Sequence, residues 1–404
     1  MTSKAKITTT DTFKIPMSSP DITEAERQSI YEVIQSPNLS MGPQIKAFEE
    51  AFRKLTGCKH AIGVNSGTSG LHLCVHAAGI EEGDIVITTP FSFVSSSNVM
   101  LFERAIPVFV DVEPSTGNID SQLIQLAVKD LSSNEVSANS WLPRLGTSNK
   151  KKVKAILPVH IYGQPADMDS IQKIAKDFNL KVIEDACEAV GSEYKGRKAG
   201  TLGDYGVFAF YPNKQITTGE GGMIVTDDDT AANLMFALRN QGRAPGDIWL
   251  QHTFLGYNYR LGELNSALGN IQLSRLAEII EKREVVANWY DERLKHIPGI
   301  EIPSVVPHTT RMSWFVYVIR TEPGINRENV SQGLKSRGIP SRPYFIPIHL
   351  QPYMKERFGY REGDFPISED LGKRSLAIPF SGVMTENQVD IVCEALKDTF
   401  KELE

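Results

Sequence analysis

Cysteine is scarce in this 404-residue chain, and long apolar runs and an excess of basic charge are missing. The four cysteines, Cys58, Cys74, Cys187 and Cys393, are scattered, form no C-x-x-C pair and mostly stand among apolar neighbours. Such spacing predicts reduced core thiols rather than a disulfide framework or a cysteine metal site. Nowhere do eighteen apolar residues run together, and the opening stretch MTSKAKITTTDTFKIPMSS is polar, with no apolar segment of signal-peptide type. These absences predict a cytoplasmic protein that does not enter the membrane. With 43 Lys and Arg against 49 Asp and Glu the formal net charge is −6, so no general basic field draws the chain to nucleic acid.

What is present is a soluble globular composition, 41% hydrophobic and 23% charged, long enough for one large domain and a smaller companion. Short β-branched runs recur, each ending in Gly, Ser, Pro or Asp: AIGVNS (61–66), DIVITTP (84–90), IPVFVDV (106–112), AILPVHIYG (155–163), KVIEDA (181–186), YGVFAFY (205–211) and MIVTDD (223–228). Helical patterns such as SGLHLCVHAAG (69–79) and MDSIQKIAKDFN (168–179) separate several of them. The alternation predicts an α/β fold, with an open, mostly parallel sheet covered by helices and ligands at the strands' carboxyl ends.

Ahead of this block, PDITEAERQSIYEVIQS predicts a helix with Thr23 and Glu26 at capping-box spacing and Ala25, Ile30, Val33 and Ile34 on one face. From about residue 262, apolar residues keep helical spacing for far longer than an average helix, which predicts one long connecting helix into a small α+β domain over 263–404. Residues 1–15 read as an N-terminal extension of the large domain, 16–262. The polar stretch 131–154, ending in a lysine run, reads as an exposed insertion rather than a nucleic-acid patch.

The chemistry gathers at a few positions. In VIEDACEAVG, strand pleating sends Glu184 and Asp185 to opposite faces, so only one can look into a strand-end pocket. A lone strand-end aspartate is often a cap or an ion-pair partner; beside Lys214, in FYPNKQITTGEGG, it says more. A pyridoxal 5'-phosphate site needs a lysine for a Schiff base, a carboxylate on the pyridine nitrogen, a phosphate cradle and a surface against the ring. Lys214 and Asp185 fit the first two. NSGTSG (65–70) offers a Gly-rich turn and a helix start, where N–H groups of Thr68 and Ser69 and the helix dipole would face an anion. Phe93 offers a flat ring, or merely a core phenylalanine.

Taken together these segments resemble the DegT/DnrJ/EryC1/StrS sugar aminotransferases, enzymes of the aspartate aminotransferase fold (fold type I). The resemblance rests on GPQIKAFEEAF, VNSGTSGLHL, PVFVDVEPSTGNID, LPVHIYGQPADMD, the stretch from VIEDACEAVG through GEGGMIVTDD, and LGYNYRLGELNSALGNIQLSRL, covering roughly residues 17 to 400. It implies a large domain with a seven-stranded sheet, a Schiff-base role for Lys214 with proton transfer by the same amine, and Asp185 on the pyridine nitrogen. It further implies stacking by Phe93, phosphate binding by Thr68 and Ser69, and Asn258 of GYNYR reaching the phosphate of a neighbouring subunit, so that a homodimer shares its active sites. Glycines 219, 221 and 222 would serve the turn behind the lysine.

Two positions depart from the family pattern. Ala209 stands where many relatives have a phosphate-binding serine, a role Thr217 or Thr218 would have to fill. Glu188 stands where many have His or Gln near the cofactor's ring hydroxyl. The dehydratase branch of the family has histidine in place of the lysine; Lys214 therefore favours transamination. GIPSRPYFIPIHLQPYM (338–354) resembles perosamine-synthase-like members, which aminate carbon 4 of a nucleotide-linked 4-keto-6-deoxy sugar. On that resemblance Arg342, Tyr344 and His349 would reach the sugar nucleotide, unless its three prolines simply shape a surface loop. His160 either lines the pocket or is a hydrogen-bonded core histidine. Arg260 is either a clamp for an anionic substrate group or a partner of a nearby carboxylate. The implied reaction takes nitrogen from an amino acid, glutamate, to a nucleotide sugar for polysaccharide or amino-sugar synthesis. A 3-keto sugar acceptor and a non-catalytic cofactor-binding sensor are alternatives. A dinucleotide-binding oxidoreductase is disfavoured because NSGTSG is not G-x-G-x-x-G and Lys214 would have no role.

Overall fold

The computed structural model describes residues 15–133 and 136–403, so the N-terminal extension read from the sequence lies outside the described residues up to residue 14. After two helices, Glu24–Ile34 and Pro43–Thr56, nine strands follow up to residue 226: β1 (His60–Val64), β2 (Ile85–Thr88), β3 (Ile106–Phe109), β4 (Val153–Ile156), β5 (Lys181–Asp185), β6 (Glu193–Tyr194), β7 (Arg197–Lys198), β8 (Tyr205–Ala209) and β9 (Gly222–Thr226). Seven form one sheet in the order β1-β9-β8-β5-β4-β2-β3. These are the seven apolar runs of the sequence, buried along nearly their whole length, as continuous β-branched strands covered on both faces must be. The pairs among β3, β2, β4, β5 and β8 are parallel. No helix separates β8 from β9, so β9 returns antiparallel and pairs β8 on one side and β1 on the other. That return turn carries Lys214.

The turn requires glycine at two points. Gly219 has φ +80°, and a Cβ on Gly222 would stand 2.7 Å from the Ser66 carbonyl carbon and 2.9 Å from Gly67 N. The close approach brings the start of the helix Gly67–Ala77 against the end of β8, and so sets one wall of the site.

The second sheet orders β10 (Ile300–Glu301), β12 (Tyr317–Thr321), β14 (Ser375–Ile378) and β13 (Arg342–Pro343), all antiparallel. β11 (Thr309–Arg311) pairs instead with β6, tying this part of the chain to the β6–β7 hairpin.

Pleating at the end of β5 separates its two acids as the alternation requires. Glu184 is fully buried and accepts from His160 Nε2 (2.8 Å) and from the N–H groups of Gly200 (2.8 Å), Leu202 (2.5 Å) and Gly203 (2.5 Å). Its carboxylate therefore organises the chain from β7 to β8. Glu184→Ala would orphan three N–H groups and an imidazole, and is expected to destabilise the protein by about 3–5 kcal/mol in urea unfolding.

Two expectations change. The N-terminal helix Glu24–Ile34 has its capping box, but Ala25 and Ile34 are exposed, and its buried side chains are Glu26 and Val33. Glu26 replaces an apolar contact: burial alone would raise its pKa, and hydrogen bonds from Thr23, Arg275 and Gln272 outweigh burial and bring it down to about 2. The long connecting helix is two helices, Glu263–Ser274 and Leu276–Leu294, broken at Arg275. Arg275 leaves helical geometry at ψ 4° while its guanidinium bonds Asp21 and Glu26 of the N-terminal arm. The 131–154 insertion is exposed over residues 144–146 and 148–152, in line with its polar sequence, and is anchored there: Arg144 makes a two-pronged bond to Asp364 at 2.6 and 2.7 Å, and Leu145 N donates to Phe358 O.

Candidate active site

The carboxyl ends of β5 and β8, the start of the helix Gly67–Ala77 and the β8–β9 turn enclose a cavity of about 420 Å³. Thr68, Phe93, Asp185, Glu188 and Lys214 all line it, together with Tyr344 and Phe315 from the C-terminal part. The structure thus brings one amine, three acids (Asp185, Glu188 and Glu220) and a helix start into one chamber.

Lys214 is held out of bulk water. Its side chain is 13% exposed, with Nζ 3.6 Å from Glu188 Oε1 and 3.8 Å from the centroid of the Phe315 ring. Asp185 is buried, its Oδ2 accepting from Ser96 Oγ (2.8 Å) and its Oδ1 from Cys187 N (3.1 Å). Two donors on one carboxylate fix its orientation while leaving lone pairs for a further partner. Ser96 and Phe315 carry no pattern that marks them in the sequence, since their relevance depends on a partner far along the chain, Asp185 in one case and Lys214 in the other.

Glu188 is buried too. Its Oε2 accepts from Tyr162 N at 2.9 Å, and burial raises its pKa above the usual carboxylate range, against the lowering effect of Lys214. A raised folded pKa means that Glu188 contributes stability below its unfolded pKa and loses it as pH rises through the folded value. In the cofactor-free protein Glu188→Gln should therefore raise the melting temperature relative to native at pH 8, and the difference should vanish near pH 4.

The anion cradle differs from the sequence reading in one group. Ser69 N–H is already taken by the cap Ser66 Oγ at 3.1 Å, so the first-turn residues left with unpaired helix N–H groups are Gly67 and Thr68. Both line the cavity, as does Ser95, whose hydroxyl pairs with Thr68 Oγ1 at 2.8 Å. A Cβ on Gly67 would come within 2.8 Å of both the Ala209 Cβ and Cys187 Sγ, so this wall admits only glycine. Neither Thr217 nor Thr218 compensates for Ala209: Thr217 Oγ1 donates to Phe210 O and Thr218 Oγ1 to Glu220 O, inside the turn. Ser95 is the hydroxyl that faces the chamber beside Thr68.

Other predicted contacts lie elsewhere. His160 is fully buried, donating from Nε2 to Glu184 and accepting Ala166 N at Nδ1 (3.2 Å), which fixes a neutral tautomer in the core, outside the cavity. His349 is fully buried against Glu369 (2.9 Å) and among Tyr360 and Phe365, again away from the cavity; burial lowers its pKa despite Glu369. Arg260 pairs with neither a carboxylate nor the chamber, but with the amide oxygens of Asn240 (3.0 Å) and Gln241 (3.3 Å). Arg342 is exposed on β13, and Asn258 is exposed and bridged through its backbone to Asn240, so neither lines this chain's cavity. Of the RPYFIPIH stretch, Tyr344 and Phe345 reach the chamber.

These elements fit pyridoxal phosphate: an enclosed amine, a buried carboxylate across the chamber, a glycine-only helix start with hydroxyls, and aromatic walls at Phe93 and Tyr344. No helix among the described residues is long and apolar enough to cross a membrane. Residues 20–397 match the DegT/DnrJ/EryC1/StrS aminotransferase family. The chain is 38% identical to the GDP-perosamine synthase of Caulobacter vibrioides, over 95% of this chain and 97% of that protein. It is 36% identical to the spore coat polysaccharide biosynthesis protein SpsC of Bacillus subtilis, over 96% and 97%. Among solved structures, Helicobacter pylori PseC, an aminotransferase involved in the biosynthesis of pseudoaminic acid, superposes with a TM-score of 0.85 at 28% identity, over 96% of this chain and 99% of that one. The chain belongs to the DegT/DnrJ/EryC1/StrS aminotransferase family and is a pyridoxal-phosphate-dependent sugar aminotransferase of fold type I.

Proposed function

We propose that this enzyme takes nitrogen from L-glutamate and delivers it to carbon 4 of a nucleotide-linked 4-keto-6-deoxy sugar, in the cytoplasm, for polysaccharide or amino-sugar synthesis. The observation that carries the reaction type is the enclosed Lys214 amine facing Asp185 and Glu188 in one cavity. Support for the acceptor comes from the likeness to GDP-perosamine synthases, 38% identical from Caulobacter vibrioides and 34% from Escherichia coli O157:H7, and from Tyr344 in the cavity wall.

Pyridoxal phosphate, when bound, supplies the electron sink for removing the α-proton of an amino acid. Lys214 would hold the cofactor covalently and move the proton at the α-carbon through Nζ. Asp185, oriented by Ser96 and Cys187, would keep a proton on the ring nitrogen. Gly67 and Thr68 N–H groups with the Thr68 and Ser95 hydroxyls would take the phosphate. Phe93 would cover the ring, and Glu188 would sit at the ring hydroxyl. Phe315, Tyr344 and Phe345 exclude water from the amine. Asn258, exposed and outside the lining of its own chamber, would serve a second subunit, which is compatible with a homodimer that shares its sites.

The test is a panel of GDP-, UDP- and dTDP-linked 4-keto and 3-keto sugars with glutamate, followed by mass spectrometry and NMR of the product. Highest turnover on a 4-keto-6-deoxy sugar is expected, and exclusive use of 3-keto sugars would overturn the acceptor assignment.

A further inference from the structure

Arg283, on the helix Leu276–Leu294, is 2% exposed and forms no salt bridge with any carboxylate among the described residues. Its donors go to three backbone carbonyls instead: Nη1 to Trp314 O (3.1 Å) and Phe315 O (3.2 Å), and Nη2 to Lys214 O (2.8 Å). Its Nε has no partner. Burying a cation without a counter-ion is costly, and an apolar side chain of that volume would serve packing better. Burial pushes its pKa down to about 10, which still leaves it charged at neutral pH.

The three carbonyls are not arbitrary. One belongs to the reactive lysine. Another belongs to Trp314, whose φ of 50° puts a bulky residue in the left-handed region, a conformation that costs of order 1–3 kcal/mol unless its surroundings enforce it. The third belongs to Phe315, whose ring packs on the lysine amine at 3.8 Å. A guanidinium fork is rigid and planar, so holding both backbones at once fixes the ring relative to the amine. Gln215 ties the same two segments a second time, donating to Glu188 O (2.6 Å) and Ser313 Oγ (2.7 Å).

We infer that Arg283 is a positioning residue that sets where the Lys214 amine stands, by gripping the lysine's own carbonyl and the carbonyls of Trp314 and Phe315 in one fork. The inference rests on Lys214 being the residue that holds the cofactor. It predicts that the effect of Arg283 on cofactor binding passes through Lys214, and a merely structural arginine would show no such dependence.

The test is a double-mutant cycle read by cofactor affinity, with pyridoxal phosphate as the probe in equilibrium dialysis on native protein, Arg283→Met, Lys214→Ala and the double variant. Arg283→Met should weaken binding by about tenfold or more with Lys214 present and by less than about twofold in the Lys214→Ala background. Equal losses in both backgrounds, or none in either, would overturn the inference. If Lys214→Ala binds the cofactor as tightly as native protein, the lysine assignment itself fails and takes the inference with it, which separates the two failures. Arg283→Lys, which keeps the charge and loses the fork, runs through the same cycle should Arg283→Met not fold, and the same two patterns decide.

Discussion

Lys214→Ala is expected to abolish amino transfer, lowering turnover by roughly 10⁴-fold or more. Removing the amine deletes the covalent anchor and the proton carrier at once, and nothing else in the chamber replaces it: Asp185, Glu188 and Glu220 are acids, and no other lysine among the described residues lines the cavity. The fold should survive, because what holds this turn is the Lys214 carbonyl on Arg283 and the Lys214 N–H on Tyr211 O, both backbone groups that alanine keeps. The measurement is the half-reaction with glutamate, followed by 2-oxoglutarate release and by the visible band of the loaded protein. Partial recovery of turnover with added methylamine would identify the lost function as proton transfer. Native turnover in the variant would remove the basis of the account.

Asp185→Asn is expected to cost on the order of 10²–10³-fold in turnover while leaving the melting temperature of the cofactor-free protein nearly unchanged. The amide keeps the shape and can still meet the two groups that touch the carboxylate: its oxygen accepts from Cys187 N, and its nitrogen donates to the Ser96 hydroxyl once that hydroxyl rotates. What it loses is the negative charge that would hold a proton on the ring nitrogen, and with it the electron sink. Ser96→Ala, which frees the carboxylate on one side, should produce a smaller loss in the same direction. A drop in stability equal in Asp185→Asn and Ser96→Ala, with turnover unaffected, would mean that this carboxylate is a structural cap.

Much of this architecture is legible in the amino-acid order because it rests on local rules. The seven buried strands read as β-branched runs, and the pleat at Glu184 and Asp185 follows from a period of two. Gly219 and Gly222 are readable as glycines because a left-handed φ and a close backbone approach leave no alternative. What escapes the sequence is set by tertiary partners. Glu26 takes a core position that periodicity assigns to apolar residues, because Arg275, Gln272 and Thr23 satisfy it there. Arg275 in turn breaks a helix that an apolar pattern alone carries through. His160 and His349 both look like pocket residues by type, yet each is buried against a glutamate elsewhere in the chain, at Glu184 and Glu369. Arg283 is the sharpest case: beside Lys282 in a long helical stretch, it gives no hint that its fork closes on the lysine 69 residues earlier.

The most direct measurement is to reduce the cofactor-loaded protein with borohydride, digest it with trypsin and locate the pyridoxyl mass. The label is expected on the peptide spanning residues 199–239, left uncut at Lys214, the only lysine it contains. A label on any other lysine, or a fully loaded protein that takes no label, would contradict it.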